Sequence, residues 1–124
     1  MALNITDGER VMLGRRREGR SQEALANDLD LSQSLVSRWE AGKKPVPKRI
    51  RKRYNALGRL TRGEQCLIMR RRLSISIRDA AQQFGISHFH LIRIEADERQ
   101  SDAYFRFIKQ LYEDTTNEAN TRTD

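Results

Sequence analysis

The sequence has few cysteines, few prolines and no long apolar runs. It contains one cysteine and two prolines in 124 residues. A lone cysteine excludes an internal disulfide and suits a reducing compartment, so we expect a cytoplasmic protein. No apolar run approaches the roughly 20 residues of a membrane-spanning helix. The chain also does not begin with a charged and then apolar signal segment. We therefore expect no membrane partner.

The sequence also lacks the residue groupings that are typical of enzymes and metal sites. The two histidines, His88 and His90, stand two positions apart and would point to different faces of a helix. No second cysteine or third clustered ligand accompanies them, which argues against a zinc site. No nucleophile with a base and an orienting group is recognisable, and there is no glycine-rich phosphate loop. The sequence thus predicts no catalysis, no cofactor and no small-molecule substrate.

Positive charge is what the sequence has in excess. The net charge is +7 at neutral pH, a balance typical of proteins that bind nucleic acid. Residues 1–58 hold 13 lysines and arginines against 7 acidic residues, whereas residues 59–124 hold 11 against 10. Nearly all of the excess therefore lies in the first half of the chain.

The two halves repeat each other at a constant offset of 55 residues. Between Thr6 and Ala41, 12 of 36 positions are identical to the residue 55 places later. The identities include the three arginines that begin at Arg15 and again at Arg70. Because repeats determine architecture, this duplication predicts two units of the same design.

Each repeat contains three helix starts in the same order. The first is a Thr-x-x-Glu capping box and the next two are serines, which cap helices well. These starts are Thr6, Ser21 and Ser32 in the first repeat and Thr61, Ser76 and Ser87 in the second. Asp30 and Gly85 stand before the third helix, and both tolerate the left-handed backbone of a sharp turn. This order predicts a helix-turn-helix unit in each repeat.

A fourth helix is expected at the end of each repeat. Pro47 suits the first turn of a helix over about 48–57, and Ser101 can cap the equivalent helix in the second repeat. Residues 114–124 are polar and predict a disordered tail. We therefore expect an all-α protein of about eight helices, with domains at residues 1–58 and 59–113 and a tail at 114–124.

The first repeat combines several short motifs that occur together in one known family. They are Ser21-Gln22-Glu23, Leu25-Ala26, Leu31-Ser32 and the run from Ser37 to Lys43. On these residues the segment resembles the lambda repressor/Cro-like (XRE-type) helix-turn-helix DNA-binding family. The resemblance covers residues 6–57 and, more weakly, 61–113. It implies two tandem lambda repressor-like domains and a sequence-specific regulator of transcription, such as a repressor from a phage or other mobile element.

In that family the third helix enters the major groove of double-stranded DNA. The resemblance therefore implies four base-reading residues, namely Gln33, Ser34, Ser37 and Arg38. It also implies phosphate contacts from Gln22, Lys43 and Lys44, and the basic run late in the first helix adds Arg16 to them. Ordinary polar surface residues remain the alternative interpretation for all of these positions.

The second repeat differs from the first at the positions that would touch DNA. His88, Phe89 and Ile92 replace Gln33, Ser34 and Ser37, and only Arg93 keeps its type. Asp97 and Glu98 replace a glycine and a lysine, which sets negative charge near the expected backbone. The second repeat could still touch DNA through His88, Phe89 and Arg93. Its apolar groups are, however, more typical of a protein contact.

Two mechanisms follow from this divergence. Both repeats could occupy successive half-sites, so that the chain acts as a covalent pseudo-dimer. In the alternative mechanism, which we favour, the first repeat binds DNA and the second forms a homodimer or partner interface. The last helix would supply that interface with Tyr104, Phe105, Phe107, Ile108, Leu111 and Tyr112. A hypothesis of another class is a protein-binding antiactivator that sequesters another transcription regulator through the second repeat.

Overall fold

The computed structural model describes residues 3–122, with side chains described up to residue 118. Over that range the chain forms eight helices and no strand, which confirms the prediction of an all-α protein with about eight helices. The helices are α1 (Asp7–Arg17), α2 (Gln22–Asp28), α3 (Gln33–Glu40), α4 (Lys48–Arg53), α5 (Arg62–Arg72), α6 (Ile77–Phe84), α7 (His88–Glu95) and α8 (Asp102–Arg122). None of them is long and apolar enough to cross a membrane.

The chain divides into two compact units, Met1–Arg59 and Leu60–Asp124. The first contains α1 to α4 and the second contains α5 to α8. The division falls one residue after the boundary expected from the sequence. Both α5 and α7 begin and end 55 residues after α1 and α3, so the offset of the sequence repeat is also the offset of the helices.

The helix starts follow from local hydrogen bonds of the capping residues. In α1 the Thr6 hydroxyl accepts from the Glu9 amide at 3.1 Å, and the Glu9 carboxylate accepts from the Thr6 amide at 3.0 Å. Thr61 and Glu64 form the same capping box at the start of α5. The serines before α2, α3, α6 and α7 each accept from an amide in the first turn. These bonds satisfy amides that the helix itself leaves without partners.

The turn between the second and third helices has the same left-handed backbone in both units. Asp30 has φ 55° and Gly85 has φ 93°. Glycine adopts this conformation without steric cost, and aspartate does so more easily than most residues. The two residues thus turn the chain sharply in front of α3 and α7, as the sequence predicted.

The core of the first unit is formed where α1 packs on α3 and α4 and α2 packs on α3. Its buried apolar residues are Val11, Leu25, Ala26, Val36, Trp39, Val46, Ile50 and Tyr54. Gly8 allows the close approach of α1 to α3, because a Cβ there would lie 2.0 Å from the Trp39 carbonyl oxygen. The sole tryptophan of the chain is therefore a core residue of the first unit.

The second unit buries part of the helix that we expected to form an interface. Tyr104 and Ile108 are 0% exposed, so the prediction that they contact a partner is wrong. The Tyr104 ring meets Phe84 edge to face, with 5.3 Å between ring centroids. The physical reason is that α8 packs on α5 and covers the core of a small unit that α5 to α7 leave open. The other expected interface residues are partly buried, namely Phe105, Phe107, Leu111 and Tyr112.

Two predicted helix ends also differ from the structure. The predicted tail at 114–124 is helical as far as Arg122, and residues 123–124 lie outside the described residues. In this part of α8 the Gln110 amide donates to Asp114 at 2.8 Å, an i to i+4 pair of a kind that supports a helix. The Thr116 hydroxyl donates to the Tyr112 carbonyl at 2.9 Å. In the first unit α4 ends at Arg53 and is four residues shorter than expected.

Candidate nucleic-acid interface

The α3 helix has one buried face and one exposed face. Its buried residues are Val36, Trp39 and Glu40, which turn toward the core. The four predicted base-reading residues are all exposed, and they are Gln33, Ser34, Ser37 and Arg38. Their spacing of i, i+1, i+4 and i+5 places them together on one side of the helix. The structure thus brings these four polar side chains onto one accessible surface.

A buried ion pair joins α1 to the end of α3. Arg15 donates to the two carboxylate oxygens of Glu40 through Nε at 2.6 Å and Nη2 at 3.0 Å. The Arg15 side chain is 11% exposed and the Glu40 side chain is 0% exposed. Arg15 also donates to the Arg20 carbonyl at 3.0 Å. Because both charges are paired and hydrogen-bonded, the pair holds α3 in a defined orientation on α1.

Gln22 extends this network to the first turn of α2. Its side-chain amide donates to Glu40 Oε1 at 3.0 Å. The amide has two N–H donors, so this contact leaves one for a second acceptor. The second unit repeats the ion pair, with Arg70 donating to Glu95 at 2.6 and 3.0 Å, but it has Ile77 where the first unit has Gln22. The ion pair belongs to the shared fold, and the glutamine is a feature of the first unit alone.

The predicted phosphate-contact lysines lie on the turn that follows α3. Lys43 and Lys44 are exposed, and both backbone amides donate to the Arg38 carbonyl, at 2.9 and 3.3 Å. This turn is therefore tied to the end of α3. On α1, Arg16 and Arg17 are both exposed, and Arg17 donates to the Leu57 carbonyl at 2.6 Å.

One network that the sequence did not reveal connects the end of α1 to the end of α4. The Tyr54 hydroxyl donates to Glu18 at 2.7 Å, and Arg53 donates to the same carboxylate at 3.3 Å. Burial and the hydrogen bond to Glu18 raise the pKa of Tyr54 to about 12. Burial also acts to raise the pKa of Glu18, but the hydrogen bonds from Tyr54 and Arg53 outweigh it and the pKa is lowered from 4.5. No local pattern marks these residues as partners, because they are 36 positions apart.

The surface of α7 differs chemically from that of α3. Phe89 is 68% exposed and Ile92 is 45% exposed, both unusually high for large apolar side chains. His88 is partly buried and its ring lies 4.0 Å from the Phe89 ring, centroid to centroid. Arg93 is exposed. Phe89 and Ile92 of α7 thus lie at the positions that Ser34 and Ser37 occupy on α3.

Asp97 has a role that its sequence position did not suggest. We expected its charge to face DNA. In the structure Asp97 is exposed, and its carboxylate accepts from the Gly63 amide at 2.9 Å and from the Thr61 hydroxyl. Asp97 therefore binds the N-terminal end of α5 within its own unit, where a negative charge is stabilised by the helix dipole.

Comparison with known families identifies the class of the first unit. Residues 8–65 match a family described as helix-turn-helix domain, and the match spans α1 to α4 and the beginning of α5. This part of the chain is similar to a helix-turn-helix domain, which is consistent with the resemblance stated for the first repeat. The match does not extend over the second repeat. Neither the curated proteins nor the solved structures give a match. Because such domains commonly bind DNA, the match indicates a DNA-binding regulator.

Proposed function

We propose that the protein is a sequence-specific regulator, acting as a repressor of transcription, that reads the major groove of double-stranded DNA with α3. The observation that supports this proposal best is the exposed polar face of α3 on a helix-turn-helix domain. Glutamine suits adenine through paired bonds to N6 and N7, and arginine suits guanine through O6 and N7. We assign these two roles to Gln33 and Arg38, with Ser34 and Ser37 beside them.

The phosphate backbone next to the read bases is contacted by residues that flank α3. Gln22 holds a phosphate with the amide proton that it does not donate to Glu40. Lys43 and Lys44 grip the backbone at the other end of the helix, and Arg16 reaches it from α1. Such contacts set the position of the domain on the duplex and leave the choice of sequence to the base contacts.

The two units divide the work in this proposal. The first unit holds nearly all of the excess positive charge and the polar reading helix. The second unit has Ile77 in place of Gln22 and apolar groups on α7, so it forms a homodimer or a protein interface. Of the α8 residues that we assigned to this interface, only the partly buried ones remain candidates.

The proposal is tested by replacing Gln33 and Arg38 together with alanine in the full chain. At about 1–3 kcal/mol for each bidentate pair, affinity for the preferred duplex should fall by about 30-fold or more. Binding to unrelated DNA should change little in fluorescence anisotropy. The matched control replaces His88 and Arg93, which occupy the same positions of α7. Equal losses in the two variants would contradict the division of work, and an unchanged affinity in the first would refute the proposal.

A second candidate function is a protein-binding antiactivator that sequesters another transcription regulator. The exposed Phe89 and Ile92 favour it, because a solvent-exposed aromatic next to a branched apolar residue is typical of contact surfaces. Replacing both with serine reproduces the residues of the first repeat at these positions. If regulation in cells is lost in this variant and retained without Gln33 and Arg38, the antiactivator is the correct function.

A further inference from the structure

The segment that runs from the turn after α3 to the end of α4 is strongly basic. Residues 43–53 contain seven lysines and arginines and no acidic residue. The other six lysines and arginines of residues 1–58 stand against seven acidic residues. The positive excess of the first unit therefore comes entirely from this segment. Five of its cations are exposed residues of α4, namely Lys48, Arg49, Arg51, Lys52 and Arg53.

Three of these cations share the outer side of α4. Ile50 and Tyr54 are buried in the core of the first unit, so they define the inner side of the helix. Lys48, Arg49 and Lys52 have the spacing i, i+1 and i+4, which places them together on the opposite side. We call these three residues the basic face of α4.

The basic face is unfavourable for the helix that carries it. Like charges three or four residues apart repel each other on a helix, as Lys52 does with Arg49 and with Lys48. Lys48 and Arg49 also stand in the first turn, which contains no acidic residue and where the helix dipole disfavours cations. Pro47 precedes the helix and gives it no side-chain cap. A sequence that breaks such local rules is typical of a functional surface.

Carboxylates of the first unit lie near the other two cations of α4. Arg53 donates to Glu18 at 3.3 Å, and Arg51 lines a cleft that also contains Asp7 and Glu9. Among the side chains that the structure describes, no carboxylate forms an ion pair with the basic face. Its three charges are therefore available to an anionic partner.

The basic face continues the positive surface of the candidate nucleic-acid interface. Lys43 and Lys44 line the same cleft as Arg51, which lies at one edge of α4. Lys48 follows Lys44 by four residues, and these span at most about 14 Å between Cα atoms. Positive charge thus extends from the turn that follows α3 onto the outer side of α4.

The second unit has no such face at the equivalent place. The helix that follows its turn is α8, and its buried Tyr104 and Ile108 occupy the places of Ile50 and Tyr54. Counted from the first residue of each helix, the three positions of the basic face are Asp102, Ala103 and Arg106 in α8. Their net charge is zero. The basic face is therefore found only in the unit to which we assign DNA binding.

We propose that the basic face of α4 binds the phosphate backbone of the duplex that flanks the bases read by α3. A duplex presents a regular series of negative charges, which suits a group of cations that no carboxylate neutralises. Such contacts position the protein on the duplex and select no base. The inference rests on the proposed DNA-binding function and adds to it a contact outside the recognised sequence.

Three neutral substitutions made together in the full chain test the proposal, and they are Lys48→Gln, Arg49→Gln and Lys52→Gln. Glutamine suits a helix about as well as lysine and arginine do. Because the three side chains are exposed, we expect this basic-face variant to fold, and urea unfolding followed by Trp39 fluorescence checks that it does. The matched control removes the same charge from the second unit by replacing three exposed arginines with glutamine, namely Arg78, Arg99 and Arg106.

The measurement is DNA affinity at several salt concentrations, followed by fluorescence anisotropy. One probe is a long duplex of random sequence, and two others carry the sequence that the protein selects, with and without flanking base pairs. On the long duplex and on the flanked site, the basic-face variant should make the slope of log K against log salt about 2.7 less steep, as for three lost phosphate contacts. Between about 50 and 200 mM salt, the unaltered chain should therefore lose about 40-fold more affinity than the variant. The slope for the trimmed site and all slopes of the control should stay unchanged.

The outcomes separate a failure of this inference from a failure of the proposed function. If the basic-face variant leaves every slope unchanged, as expected of a surface for an acidic protein, or changes it no more than the control does, the inference is wrong. An equal change on the trimmed and the flanked site would place the contact within the recognised sequence and overturn the assignment to flanking DNA. If the protein prefers no sequence but the variant still flattens the slope on the long duplex, the proposed function fails while the basic face stands. If no duplex binds, both fail.

Discussion

Removing the negative charge of Glu40 is the perturbation that most directly tests the physical account of the first unit. Glu40 accepts from Arg15 through two hydrogen bonds and from Gln22 through a third. The Glu40 side chain is 0% exposed and that of Arg15 is 11% exposed, so water has little access to replace the lost hydrogen bonds of the ion pair. The substitution Glu40→Gln keeps the shape of the side chain and leaves a nearly buried guanidinium without its counter-charge.

The expected loss of stability is about 3 kcal/mol. Breaking a buried ion pair by removing one partner costs about 3–5 kcal/mol, and the lower end applies because glutamine can still accept one bond from Arg15. At roughly 0.05–0.15 kcal/mol per residue, a unit of this size has a total stability of about 3–9 kcal/mol. The substitution therefore removes a large part of the free energy that keeps the first unit folded.

Urea unfolding followed by tryptophan fluorescence measures this loss, because Trp39 is the only tryptophan and lies in the core of the first unit. Ser37→Ala, on the exposed face of the same helix, is the control and should change stability by no more than about 0.5 kcal/mol. Replacing both partners, Arg15 with methionine and Glu40 with leucine, should recover most of the loss. A loss below about 1 kcal/mol in Glu40→Gln, or a double variant as unstable as the single one, would refute the reasoning.

Three further predictions address the charge and the burial of other groups. Replacing Lys43 or Lys44 with alanine should make the slope of log K for DNA binding against log salt about 0.9 less steep, as for one lost phosphate contact. Arg93→Ala should leave the slope unchanged. Equal changes in the two units would contradict the proposal that only the first unit binds DNA. Tyr104→Phe should stabilise the second unit by about 1 kcal/mol in thermal unfolding, because the buried Tyr104 hydroxyl has no hydrogen-bond partner among the described residues. Destabilisation would show that the hydroxyl does have a hydrogen-bond partner. Because the pKa of Glu18 is lowered on folding, its stabilising effect is complete above about 4.5 and is lost as pH falls through the folded-state pKa. Glu18→Gln should therefore reduce the loss of urea stability of the first unit between pH 7 and pH 3, and an unchanged loss would contradict the assigned pKa direction.

Features that depend on a few neighbouring residues could be predicted from the sequence. The capping boxes at Thr6 and Thr61 are complete within four residues, and the turns at Asp30 and Gly85 depend on one residue each. The exposed face of α3 could also be predicted, because the family resemblance implies the four positions that the structure leaves exposed. These local signals were sufficient to predict the eight helices and the repeat.

Features that depend on contacts between distant residues could not be predicted. The burial of Tyr104 follows from the packing of α8 on α5, which is not visible in the spacing of its aromatic residues. Asp97 bonds to residues more than 30 positions earlier in the chain, so its sequence position did not reveal this contact. For the same reason, the sequence did not show that one amide N–H of Gln22 is bonded to Glu40.

The central claim is that the first unit reads a DNA sequence through α3. Selection of bound sequences from a pool of random duplexes by the full chain tests it most directly. We predict that one motif is enriched, alone or as a palindrome, and that it is lost when Gln33 and Arg38 are replaced with alanine. Two unlike half-sites would show that both units read DNA. No enriched motif, or the same motif from the double variant, would contradict the claim.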